Sequence, residues 1–485
     1  MSLFSWLRIP TSKRASRGRT QQRPTPRFRP KLEALEDRTL LSNYTAATVS
    51  DLIADINAAN KAGGTNTITL TAPTTSPYVL TAVDNTTNGA NGLPVISKKD
   101  NLTILGGGDT IERSTASGTP GFRLFDVAIG GSLTLQNLTL QNGFAVDGGA
   151  ISNQGYLTLQ GVTVENNIAL GSDGNLTTVA KSLSAATGGD AAGGGIWSDG
   201  TLFLEDLTLP SGTVLHTTLQ NNRALGGSGG DFKNKNTGAL EAADGGQALG
   251  GALYLAGGTT GSTNATLTNV SFLNNVALGG FGGDNFGGIG NGGNGGAAFG
   301  GAVDIAEAGT VVTNGITLEN NDASGGKGGD AIGPALGGTG GDGSGGAVYV
   351  TGGLTAGTVS MDGMFFQGNI AQGGPGGYSS EPDDTEALTG LGGNAYGGAV
   401  FVGGGSAYGM VFIYGSIVQG NEAVGGLGVP GGGGGAGGGL YIATGASVTL
   451  DAFSVTYIVN NTDSNTGLNG STANIDGSYA LDTGF

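Results

Sequence analysis

The chain has 485 residues with 101 Gly, 13 Pro and no Cys, which excludes disulfides, thiolate metal sites and thiol catalysis, and collagen for want of proline and a strict triplet. The net charge of −17 divides unevenly: residues 1–42 carry ten Lys/Arg against three acids (Glu33, Glu36, Asp37), leaving ten basic and 34 acidic groups for the remainder. A body this acidic repels phosphate backbones, so no nucleic acid is expected as a partner, and no apolar run reaches the length of a transmembrane segment.

Residues 1–42 read as a disordered basic leader, with Arg8, Lys13, Arg14, Arg17, Arg19, Arg23, Arg27, Arg29 and Lys31 in a Pro-punctuated run without apolar periodicity. The apolar stretch of an ordinary secretory signal is missing. The leader closes on Leu32-Glu33-Ala34-Leu35-Glu36-Asp37-Arg38-Thr39-Leu40-Leu41-Ser42. This segment resembles the basic leader with an LExLExRxLLS core found on many planctomycete cell-surface and exported proteins. The resemblance implies export or surface display.

Residues 43–147 read as an N-terminal cap followed by the first coils of a solenoid. Thr48 to Lys61 predicts one helix, since Leu52, Ile53, Ile56 and Ala59 share a stripe and Gly63-Gly64 stops it. Laid over the first coil, such a helix covers an otherwise sticky end. Asn101 to Gly106 and Ser132 to Leu140 follow as alternating strand runs.

From 148 to 461 one signature recurs seven times. A Gly-Gly-small-aliphatic opener begins at Gly148, Gly193, Gly250, Gly300, Gly345, Gly397 and Gly437. Each opener is answered by an aliphatic-or-Phe-x-x-Asn ending at Asn167, Asn222, Asn275, Asn321, Asn369, Asn421 and Asn461. A repeat at this period means stacked units. Within each unit we expect three short strands, such as Ala347-Val348-Tyr349-Val350, Tyr156-Leu157-Thr158-Leu159 and the run into the Asn. The fold class is therefore all-β, a right-handed parallel β-helix (solenoid) with an N-terminal capping helix and Gly-rich loop insertions. The seven Asn form a structural corner ladder, since Asn tolerates the left-handed conformation and its amide bonds neighbouring backbone. Ala169, Ala224, Ala277, Ala323, Ala371 and Ala423, two places later, fit a corner where a larger side chain would overpack. Residues 462–485 read as a C-terminal tail without an evident cap.

The opener and the FxxN pair, explicit in Phe272-Leu273-Asn274-Asn275 and Phe366-Gln367-Gly368-Asn369, resemble the repeat of chlamydial polymorphic outer-membrane proteins. The resemblance covers roughly residues 45–461 and implies a right-handed parallel β-helix of the pectin-lyase-like shape, engaged in surface display or adhesion. Autotransporters of that group end in a membrane β-barrel. Here 24 residues follow Asn461, so self-translocation is not part of the expectation.

Two outward features are candidate sites. The residue after each opener's aliphatic is Ser152, Trp197, Tyr254, Asp304, Tyr349, Phe401 and Tyr441, so stacking aligns an aromatic stripe of Trp197, Tyr254, Tyr349, Phe401 and Tyr441. Such a stripe either stacks on sugar rings or is covered by loops and neighbouring rings. The insertions repeat Gly-Gly-x-Gly-Gly-Asp and related spacings around Asp231, Asp284, Asp330 and Asp342. Gly279 to Gly287 and Gly325 to Gly333 fit the nonapeptide GGxGxDxUx, with Phe286 and Ile332 as the large apolar residue, which makes calcium the candidate metal. No cofactor is otherwise required. The acidic cluster Glu381, Asp383, Asp384 and Glu386 reads as a solvated loop tip.

No enzyme activity is expected. His216 is the only His, no Lys or Arg follows Lys327, and Asp304 is the only acid at its repeat position, whereas glycan hydrolysis needs paired carboxylates. The expected function is that of an extracellular or cell-surface protein with a structural or adhesive role, meeting glycans or other surface proteins. The alternative is a carbohydrate-active β-helix that binds or, failing that, cleaves polysaccharide.

Overall fold

The computed structural model describes residues 42–179, 182–232, 241–257, 263–286, 290–306, 308–351, 357–380, 386–388, 390–404, 409–429, 431–464 and 473–483. The basic leader up to Leu41, and Glu381, Asp383 and Asp384 of the acidic cluster, lie outside them. The described body from Ser42 onward is a parallel β-solenoid, as the repeat predicts.

The entry is capped. Strand Ser42–Ala46 pairs with Gly64–Leu70, and between them runs α1 (Val49–Ala62). Thr48 caps α1: its hydroxyl accepts from the Asp51 N–H, and the Asp51 carboxylate accepts from the Thr48 N–H in return. Leu52, Ile56 and Ala59 are buried, and Gly63 ends the helix at φ +63°. The long strands Asp100–Arg113 and Ser132–Gln141 then set the register for the coils that follow.

Each repeat contributes more strands than the three expected. The opener strand, for example Val348–Val350, belongs to a nine-stranded sheet. The second and third runs, such as Tyr156–Gln160 and Thr163–Glu165, belong to a 20-stranded sheet. A further strand follows each ladder Asn (Ile168–Leu170 and its copies) in an eight-stranded sheet. A two-residue strand precedes each opener from Gly193 on (Ala191–Ala192, Ala248–Leu249, Ala298–Phe299, Gly343–Ser344, Ala395–Tyr396, Gly435–Ala436) in a six-stranded sheet. These last two sets escape a period-2 reading because they are two or three residues long and rich in Ala and Gly.

The openers explain themselves. The first Gly of all seven lies at φ between +59° and +66°, the left-handed region where a Cβ is penalised. The second approaches the next coil so closely that a Cβ on Gly251 would sit 2.1 Å from the Gly301 carbonyl oxygen.

Side-chain size falls in steps across the section of a coil. The opener sheet and the 20-stranded sheet enclose a core of Leu, Ile, Val, Phe and Met. Beyond the ladder corner the eight- and six-stranded sheets face each other through alanine and glycine: Ala224, Ala277 and Ala323 against Ala248 and Ala298, then Ala371 and Ala423 against Ala395, with Gly343 and Gly435 in the same file. The repeated alanines thus line a second, narrow seam between two sheets, outside the main core. Past the seam the facing positions of the two layers are mostly glycine, and backbone meets backbone.

The Gly-rich insertions are ordered as a two-layered slab. An outbound segment leaves each Asn-proximal strand and a return segment leads back to the next opener. In the triplets Gly226-Gly227-Ser228-Gly229-Gly230-Asp231, the first Gly donates to the following coil (Gly226 to Leu278, 2.9 Å). The second Gly donates across the slab (Gly227 to Gly189, 2.9 Å). Cross-slab bonds of 2.8–2.9 Å run on from Gly246 to Gly227, Gly280 to Gly246, Gly296 to Gly280 and Gly326 to Gly296, and continue to Gly433 on Gly426. The three-residue period is that of polyproline II, which has no hydrogen bonds of its own and so offers every peptide group to neighbours. A side chain at an inward position collides: a Cβ on Gly280 would lie 1.9 Å from the Gly227 carbonyl oxygen.

At the far end, α2 (Ala452–Tyr457) interrupts the 20-stranded sheet's last full coil. Beyond Thr462 the chain still contributes to the solenoid: Ile475–Asp476 pairs with Leu440–Tyr441, and Ala480–Asp482 with Thr449–Asp451. None of the helices among the described residues is long and apolar enough to cross a membrane.

Candidate functional site

The asparagine ladder is continuous and buried. Each Oδ1 accepts both the backbone N–H and an Nδ2–H of the Asn one coil earlier, from Asn167 on Asn222 (3.2 and 3.0 Å) to Asn421 on Asn461 (2.9 and 2.9 Å). Each Nδ2 also donates to a third-strand carbonyl, as Asn321 does to Phe272 at 3.0 Å. The left-handed residue of the corner is the preceding one: Asn166, Asn221, Asn274, Asn320 and Asn460 at φ +53° to +56°, with Gly368 and Gly420 in the remaining coils. The ladder Asn is therefore chosen for its amide, and its neighbour for its backbone. An eighth rung, Asn474, accepts from Asn461 at 3.1 and 3.2 Å; no Gly-Gly opener leads to it, so the repeat does not reveal it. With every amide engaged, this column holds the fold and offers nothing to a ligand.

The outward stripe has the expected register, Trp197 beside Tyr254, Tyr254 beside Asp304, and on through Tyr349, Phe401 and Tyr441. Three of its rings stack on each other beyond Asp304. Tyr349 and Phe401 lie 4.8 Å apart at 9°, Phe401 and Tyr441 5.3 Å apart at 14°. The two-residue strands turn their alanine into the seam and their second residue towards the stripe, so Phe299 packs on Tyr349 at 4.7 Å and Tyr396 on Tyr441 at 4.9 Å. All five aromatics are half-buried. Burial and the nearby Asp304 carboxylate push the Tyr349 hydroxyl up to about 12. Asp304 itself is only 2% exposed, its Oδ1 has no hydrogen-bond partner among the described residues, and burial raises its pKa well above the carboxylate range.

The four aspartates singled out for calcium divide between the two layers of the slab. Asp231, Asp284 and Asp330 form one file on the outbound layer. Asp231 accepts the Asp284 N–H at 3.1 Å, Asp284 the Asp330 N–H at 2.8 Å, and Asp330 the Tyr378 N–H at 2.9 Å and Lys327 Nζ at 2.6 Å. Asp342 stands on the return layer, where it accepts the Asn394 N–H at 2.6 Å, and Asn394 accepts that of Gly434 at 3.0 Å. The physical reason is the triplet itself. Two of its three N–H groups bond neighbouring glycine segments, the third points outward, and an Asp or Asn of the coil before supplies its acceptor. Burial first, then the like charges of Asp330 and Asp231, raises the Asp284 pKa, partly offset by the Asp330 N–H and Lys327. Phe286 and Ile332 stand 36% and 37% exposed. Among the described residues no three His, Cys, Asp or Glu side chains converge as a metal-binding group. His216 lies beside the surface hairpin Leu207–Leu215, its Nδ1 2.8 Å from Asp206.

One concave site has no sequence signature. It lies where the cap meets the first repeat, a pocket of about 310 Å³ walled by Asn88, Arg123, Phe144, Val146, Asp147 and Leu170. Arg123 is 4% exposed; its Nη1 donates to the Asn88 carbonyl at 2.6 Å and its Nη2 to the Asp147 carbonyl at 3.1 Å. Burial lowers the Arg123 pKa, and Asp126 and Asp147 oppose that shift. Burial raises both carboxyls, against the pull of Arg123. The only sequence hint is an omission, the missing insertion before Gly148.

In comparisons with known proteins, no family model, no curated protein and no solved structure matches the chain.

Proposed function

We propose that this protein is exported and displayed at the cell surface, where the solenoid serves a structural or adhesive role without catalysis. The observation that supports this most is the division between constant and variable positions. Everything turned inward repeats from coil to coil: aliphatic core, asparagine ladder, alanine seam, glycine slab. One outward file of the slab, by contrast, reads Ser228, Phe281, Lys327, Pro375 and Leu427, joined through the hydrogen-bonded glycines beside them. A backbone held by stacked polar rows while its outer residues vary suits a scaffold that presents surface. The resemblance of the leader to planctomycete export segments, and of the repeat to chlamydial surface proteins, supports that location. Fractionation and protease shaving of cells expressing the full-length or the leader-deleted chain test the reading. Full-length protein should be exposed and the deleted form retained; equal cytoplasmic retention of both overturns it.

A carbohydrate-binding role is the second reading, favoured by the partly exposed Trp197 and Tyr254 of the stripe. Glycan-array binding that is unchanged in Trp197→Ala/Tyr254→Ala removes the stripe from consideration.

A further inference from the structure

The first coil passes from strand Phe144–Ala145 to the Gly148-Gly149 opener through Val146 and Asp147 alone. The next coil inserts a longer stretch, within 171–191, at the same place, and Asp147 is in register with Ala192, the residue that follows that insertion. The glycine slab therefore begins one coil late. The pocket at Arg123 is the notch left in front of it, with Leu170 of the following coil as its far wall.

The notch is held open by specific residues. A Cβ on Gly121 would lie 2.6 Å from the Phe144 ring, and one on Gly89, at φ +110°, 3.2 Å from Arg123 Nη2. Both glycines thus let the ring and the guanidinium occupy the wall. Arg113 lies over the Phe144 ring at 5.7 Å and holds it from one side. Asn88, in the left-handed region at φ +51°, turns its Nδ2 to Asp126 at 3.2 Å and Gln154 at 3.3 Å while its carbonyl takes Arg123.

The polar inventory selects a ligand class. A guanidinium has five N–H donors, and two of those on Arg123 are bound to backbone carbonyls. Each Nη spends one donor on the backbone, which leaves three N–H groups of the guanidinium to offer to an acceptor. One guanidinium faces two carboxylates, Asp126 and Asp147, so the notch does not favour an anion. A bare cation would meet the guanidinium. What remains is a neutral molecule that offers an acceptor to Arg123, a donor to the Asp147 carboxylate and an apolar face to Phe144, Val146 and Leu170. A volume of about 310 Å³ is at the small end of ligand pockets. We propose that this notch binds a single neutral sugar unit, free or at the end of a glycan. The inference does not depend on where the protein is displayed.

The test is titration of the full chain with methyl glycosides of glucose, galactose, mannose, N-acetylglucosamine and rhamnose, beside glucuronate, inorganic phosphate and glycine, read by saturation-transfer NMR and calorimetry. At least one neutral glycoside should bind. Asp147→Asn, which keeps the backbone carbonyl that Arg123 uses, should weaken it about tenfold. Val146→Trp, at a residue 51% exposed, should fill the notch and abolish binding with the melting temperature unchanged. Silence across the neutral panel, preference for glucuronate, phosphate or glycine, or binding indifferent to Val146→Trp overturns the proposal.

Discussion

Two buried side chains show how one position can support or tax a repeat. The Asn321 side chain makes four hydrogen bonds to three residues: it accepts from the N–H and amide of Asn275 and donates to Phe272 and Asn369. Asn321→Ala leaves several of these unsatisfied, at roughly 1–3 kcal/mol for each buried group not reached by water. A melting temperature lowered by several degrees is expected, with faster amide exchange at Asn275 and Asn369. Asp304 acts in the opposite sense. Its folded pKa is raised by burial, while in the unfolded chain it titrates near about 4. The native state therefore holds its proton longer, and stability declines as pH rises from about 4 towards the raised folded value. Asp304→Asn should raise the melting temperature at pH 7, and the gain should shrink towards pH 4. A gain independent of pH would show that the carboxyl does not titrate as its burial dictates.

Among the elements, the glycine slab departs most from ordinary sheet construction. Its tolerance should be all or nothing by position. Gly280→Ala pushes a methyl to within 1.9 Å of a backbone oxygen and should break the slab locally, giving lower melting and protease cleavage in the insertions. Gly431→Ala, where the nearest atom is a Leu391 methyl at 4.0 Å, should be neutral or stabilise by about 0.4–1 kcal/mol through the unfolded chain. The contrast also marks what was legible in the sequence. The opener glycines repeat because one backbone geometry demands them, and the ladder asparagines because each amide must bond the next, so their period declares the solenoid. The slab is built from a residue with no side chain to show a face, and its order appears only when facing segments are known. The same holds for the calcium pattern: Asp231, Asp284 and Asp330 carry the right spacing for a ligand loop, and the structure adds that one oxygen of each accepts an outward peptide N–H. The notch at Arg123 was illegible because it arises from a segment that one coil lacks.

For the whole molecule, the ends and the hydrogen-bond content decide behaviour. Leu52 and Ile56 are fully buried beneath α1, each worth about 1.5–3 kcal/mol, and they shield strand edges that would otherwise recruit other chains. Leu52→Asp should expose that end and drive concentration-dependent association, visible by light scattering; a variant that stays monomeric would show that α1 is dispensable there. The slab has a thermal consequence as well. It contributes many peptide hydrogen bonds but almost no hydrocarbon, and polar surface lowers the heat capacity of unfolding whereas apolar surface raises it. Scanning calorimetry should give a heat-capacity increment per residue below the usual ~12–15 cal/mol/K. The stability curve of this protein is then unusually flat, and chilling, which weakens a hydrocarbon core, leaves its glycine half almost untouched.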